Sequence, residues 1–141
     1  MTEPRWWLAV LLLVGTLVAC GGDDLSASLA GAWQLTEGTG PDGEVELIDE
    51  HPITLEIAGQ DWSGTAACNT YGATAEVDGD ALELTELFWT EMACPADGVM
   101  ESEAAYLAAL QQAERIEVDD TELVLTGEGT ELTFTRTQTG T

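Results

Sequence analysis

The chain has 141 residues, which is enough for one domain and little more. Its 27 acidic residues against three basic ones give a formal net charge of -24. Nucleic acid and anionic lipid would both be repelled by such a surface, so neither is expected as a direct partner of the folded part.

The N-terminus reads as an address. In "RWWLAVLLLVGTLVAC", Arg5 precedes an uncharged run from Trp6 to Ala19. That run is too short for a spanning helix, which needs about 20 apolar residues, but it has the length of an export signal's apolar region. It ends in "LVAC", Leu17 to Cys20, which resembles the lipobox of bacterial lipoproteins. Residues 1–19 are therefore expected to be a signal peptide. Cys20 is the expected lipidation site, so that lipid on Cys20 links an extracytoplasmic protein to the membrane. The alternative is an ordinary secretory signal cleaved near Ala19. "GGDDLSAS", Gly21 to Ser28, is small and polar, and residues 20–28 read as the lipidated cysteine with a flexible tether. A domain is expected over 29–137, followed by a tail at 138–141.

From there the pattern is mostly of period two. "GAWQLT" predicts a strand around Trp33 and Leu35, and "HPITLEIAG" one with Ile53, Leu55 and Ile57 on one face. "QDWSGTAA" gives another, with Trp62, Gly64 and Ala66 on one side. "ATAEVDGDALELTEL" reads as a hairpin turning at Gly79. "RIEVDDTELVLTGEGTELTFTR" supplies three more strands, marked by Ile116 and Val118, Leu123 and Leu125, and Leu132 and Phe134.

One segment changes period. "DGVMESEAAYLAALQQAER" is rich in Ala, Leu, Glu and Gln and predicts a helix with Asp97 as its N-cap. Its apolar face carries Val99, Met100, Ala104, Tyr106, Leu107, Leu110 and Ala113. Glu103 falls inside that face. Two readings follow for it: hydrogen bonds to backbone N–H groups of the loop holding Cys94 or Cys68, or a ligand contact or titratable switch. Seven or eight strands and one amphipathic helix imply a mainly β fold, a small antiparallel barrel-like curled sheet covered by the helix.

The chain has three cysteines. With Cys20 used for lipid in an exported protein, Cys68 and Cys94 remain as an even pair, and a disulfide is the default. Free buried thiols are the rival. No metal or cofactor is expected. His51 is the only histidine, zinc would need more ligands, and "PDGE", "VDGD" and "VDDTE" do not complete an EF-hand. In "TAACNTYGA", Asn69 is expected to bond to local backbone and Gly72 to permit a positive φ. Trp33, Trp62 and Trp89 are candidates for a pocket lining, against the ordinary alternative of core packing.

The succession of "LAGAWQL", "GTAACNTYG", "LFWTEMACP" and "ESEAAYLAAL" resembles the META domain, as in HslJ-like bacterial envelope lipoproteins. The specific part is Cys-Asn-x-Tyr at Cys68 to Tyr71 and Thr-x-Met-Ala-Cys at Thr90 to Cys94, followed by Glu103, Tyr106, Leu107 and Leu110. Ala67 and Ala73 stand where that family usually has glycine. The resemblance implies a small barrel-like envelope domain with one helix, loosely linked to stress tolerance and without a catalytic residue set. The expected function is that of a monomeric, non-enzymatic, lipid-anchored module that binds another envelope protein. The alternative is a carrier of a small apolar ligand in the barrel interior. The structural or ligand-contact candidates are Glu103, Asn69, Tyr71 and the three tryptophans.

Overall fold

The computed structural model describes residue 15 and residues 21–138, with only the backbone described for 21–24. The apolar run and Cys20 lie outside the described residues. The elements are α1 (Gly21–Leu29), β1 (Gly31–Gly40), β2 (Gly43–Glu44), β3 (Thr54–Ala58), β4 (Asp61–Ala66), β5 (Asn69–Asp78), β6 (Ala81–Trp89), α2 (Val99–Gln111), β7 (Ala113–Val118), β8 (Glu122–Gly127) and β9 (Thr130–Arg136).

All strand pairings are antiparallel. The order β1-β3-β4-β5-β6-β7-β8-β9 closes into a ring through β1 against β9, and the two-residue β2 hangs on β1 as an extra edge. The expected mainly β barrel covered by a helix is what the chain forms, with eight strands in the ring and β2 outside it among the described residues. Period two explains the inside of the barrel. Ile53, Leu55 and Ile57 are buried, as are Leu123 and Leu125 on β8 and Leu132 and Phe134 on β9. These side chains fill the interior together with Trp33, Leu35, Tyr106 and Leu110.

The two ends of the barrel differ. At one end lie the β4–β5 turn, the segment after β6, and α2, which packs against β1, β9 and β4. Gly40 is required here, because a Cβ on it would stand 2.6 Å from the Cβ of Ala109. At the other end are the β3–β4 and β5–β6 turns, with Gly79 at φ 62 as the hairpin needs. The ring is weakest between β6 and β7, which share a single register pair, Ala81 with Arg115. The rest of β6 pairs with β5 alone.

Three local expectations are corrected. The segment read as a flexible tether forms α1, whose Leu29 is buried. Arg136 holds its C-terminal end: Nη1 donates to Ala30 O, Nη2 to Ser28 O and Nε to Asp120 O, while the guanidinium lies 4.2 Å from the centre of the Trp33 ring. A cation on carbonyls at a helix C-terminus is favourable, and stacking on indole adds to it. Helix α2 is capped by Gly98 at φ 80 with no side-chain bond, not by Asp97. Its buried face includes Ser102 and Ala109, whereas Ala104 is exposed and Ala113 belongs to β7. Ser102 is tolerated inside because its Oγ donates to Glu46 O at 2.6 Å.

Candidate functional site

The sequence candidates gather at the α2 end. The β4–β5 turn runs through Ala67 and Cys68, and the disulfide ties Cys68 to Cys94 across a separation of 26 residues. The positive φ expected at Gly72 is instead at Ala67, φ 66, one of the two positions where the family pattern usually has glycine. Gly72 is needed for space: a Cβ there would meet the Phe88 ring at 2.7 Å. Phe88 thus covers the bare backbone on the outer face, an aromatic over a glycine.

Asn69 is the hub of this end. Its backbone N–H donates to Glu103 Oε1 at 2.6 Å, and Nδ2 donates to Glu103 Oε2 at 2.7 Å and to Met92 O at 3.0 Å. Its Oδ1 accepts from Thr90 Oγ1 at 2.9 Å and from Met92 N–H at 2.6 Å. The two side-chain donors and two acceptor positions of the amide are all used, in a residue 1% exposed. Asn69 therefore bonds at long range, to α2 and to the segment after β6, and not to local backbone as the sequence suggested. Glu103, 4% exposed, answers the N–H of the residue after Cys68, which is the first of its two expected roles.

Tyr71, two residues on, faces the interior and donates to Thr54 O at 2.7 Å. Its oxygen lies 2.7 Å from that of Tyr106. Since the single Tyr71 proton is engaged by Thr54, Tyr106 is the donor in that pair. Burial pushes both phenols well above their ordinary value, and in Tyr106 the neighbouring Tyr71 adds to the rise. Gly64 makes room for this arrangement, because a Cβ there would stand 2.1 Å from Thr54 O.

The tryptophans separate. Trp33 is core, its Nε1 donating to Leu29 O at 2.9 Å. Trp89 is 39% exposed and lines a cleft of about 360 Å³ with Met92 and Met100. Trp62 is on the lining of a larger depression of about 920 Å³ at the opposite, α1 end, with Ile57, Leu82 and Leu29. Sequence reasoning missed this depression, which is assembled from α1 and five strands, β3 to β7. His51 sits in the loop before β3. Among the described residues no three His, Cys, Asp or Glu side chains are grouped to hold a metal, and no helix is long and apolar enough to cross a membrane.

The sequence profile of the META domain matches residues 24–139. The chain belongs to the META domain family. The match begins inside α1, so the helix read as a tether lies largely within the META domain. The structure is similar to an NMR structure of a protein from Burkholderia xenovorans, with TM-score 0.67, 29% identity, and 82% of this chain and 88% of that chain covered. Two further likenesses concern the fold alone. One is to a DUF4847 family protein from Bacteroides vulgatus, at TM-score 0.52 and 16% identity over 80% of this chain and 96% of that one. The other is to a lipocalin-like protein from Bacteroides uniformis, at TM-score 0.50 and 17% identity over 78% and 99%. A search of curated proteins finds no match.

Proposed function

We propose that the protein is a non-enzymatic, lipid-anchored module of the cell envelope, held at the extracytoplasmic face of the membrane through Cys20, which acts by binding another envelope protein. The observation that carries the non-catalytic reading is the saturation of the Asn69 hub. Its buried carboxylate and amide are bound to each other, to the Thr90 hydroxyl and to backbone, so that both Glu103 oxygens are engaged by Asn69 and neither is turned to a substrate. The "LVAC" motif supports the anchor. Cys20→Ala should move the protein from the membrane to the soluble fraction, and retention in the membrane would overturn the anchor. Crosslinking followed by pull-down from detergent-solubilised envelope should recover a defined protein partner with wild type, and recovery of the bait alone would overturn the binding role.

The second reading, a small-ligand carrier, is favoured by a different observation. The middle of the barrel is occupied by its own side chains, with Leu123, Leu125, Leu132 and Phe134 at 0% exposure. Under this reading a ligand would sit at the depression near α1, which supports a carrier better than the filled barrel interior that the sequence suggested.

A further inference from the structure

The depression at the α1 end has two kinds of surface. Its floor is apolar and already built: Ile57, Trp62 and Leu82 are buried core residues that reach its lining. Its volume of about 920 Å³ is within the range of small-molecule sites. Around that floor the charged lining residues are Glu76, Asp78, Glu83 and Glu114, all of one sign.

Nothing among the described residues neutralises them. The two arginines of the folded part are both committed at this end. Arg115 pairs with Asp80 at 2.8 Å, and Arg136 is spent on backbone carbonyls and the Trp33 ring. Glu76 and Glu83 are moreover direct cross-strand partners in the β5–β6 register. Two like charges in that relation oppose the hairpin they sit on. A cation placed beside them removes that repulsion, whereas an anion adds to it.

We infer that this depression is a binding site for a small cationic amphiphile, an apolar body carrying a positive charge, seated with its apolar part on the Trp62 floor and its charge beside Glu76 and Glu83. An anionic amphiphile is rejected by the same carboxylates, and a neutral one gains only the floor. The inference rests on the reading of the protein as a non-catalytic binding module; it does not depend on the lipid anchor.

The probes are tetraphenylphosphonium and tetraphenylborate, which share size and apolar surface and differ in the sign of their charge. Each is titrated against the full chain in zwitterionic lipid nanodiscs, with empty nanodiscs as the blank, and binding is measured by equilibrium dialysis. The expected result is saturable one-to-one binding of the phosphonium, weakened by salt, with no saturable binding of the borate. Glu76→Gln, Glu83→Gln and Glu114→Gln together should weaken phosphonium binding by about tenfold, the size expected for three partly exposed charge contacts. The triple variant should also unfold at a higher denaturant concentration than wild type, because the Glu76/Glu83 repulsion is gone, so weaker binding would not reflect misfolding. Equal binding of the two ions, or phosphonium binding unchanged in the triple variant, overturns the inference. The same titration on Cys20→Ala separates the readings. Binding retained by a chain that has left the membrane supports both. Binding retained by a chain that stays membrane-bound removes the anchor alone, and absence of saturable phosphonium binding in both chains removes the site alone.

Discussion

Replacing Glu103 by alanine removes the acceptor for two donors of a single buried residue. The Asn69 N–H, 2.6 Å from Oε1, is left with nothing, while Nδ2, 2.7 Å from Oε2, keeps its bond to Met92 O. A buried donor without a partner costs about 1 to 3 kcal/mol, and a bond to a charged group contributes about 1.5 to 3. The Ala variant should therefore lose roughly 3 to 4 kcal/mol, a large share of the 5 to 15 typical of a domain. Glu103→Gln is milder. Its carbonyl serves one donor, but its amide group meets the other donor head on, and Asn69 cannot turn over to accept because its Oδ1 already takes Thr90 Oγ1 and Met92 N–H. About half the loss, roughly 2 kcal/mol, is expected. Urea unfolding of both variants with the disulfide intact gives the midpoints, and an unchanged slope shows that the difference is in stability. Wild-type stability in both variants would refute the reasoning, since it would mean that the carboxylate is solvated.

The chain has two tyrosines, Tyr71 and Tyr106, both with their ionisation pushed up by burial. A folded value raised above the unfolded one near 10 means that the associated stability is complete below about pH 10 and is lost as pH rises beyond it. Absorbance at 295 nm should show no tyrosinate at pH 10 to 11 until circular dichroism reports unfolding, and two equivalents formed in a folded protein would contradict this. Cys68→Ser with Cys94→Ser should lower stability by roughly 3 to 4 kcal/mol for a loop of this length, seen as an earlier denaturation midpoint, with no change counting against a stabilising role. Gly40→Ala, whose methyl would collide with Ala109, should cost about 1 to 3 kcal/mol in the same assay, and a neutral result would mean that α2 shifts freely on β1.

The strands were legible because one face of each is buried, and alternation records that directly: Ile53, Leu55 and Ile57 needed no partner to be read. Glu103 was legible for a similar reason, as a charge in the wrong place on a helical wheel. What escaped depends on atoms far apart in sequence. No local signal says that the amide of Asn69 reaches Met92 and Glu103, or that the left-handed residue of the β4–β5 turn is Ala67 and not Gly72, whose small size serves Phe88 instead. Helix α1 was misread because its glycines and aspartates are poor helix formers. Its stability comes from Leu29 in the core and from Arg136, which lies at the far end of the domain in sequence.

The ring closes by pairing β1 with β9, Trp33 opposite Arg136 and Thr39 opposite Glu131. The first strand of the barrel must therefore wait for the last to be made. Until the ribosome has released β9, hairpins β3–β4, β5–β6 and β7–β8 can form, but the hydrophobic faces of β1 and β8 have no seal between them. Such closure over nearly the whole domain is slow relative to local pairing. It sets an order as well as a rate: the barrel cannot close until β9 has been made and can reach β1.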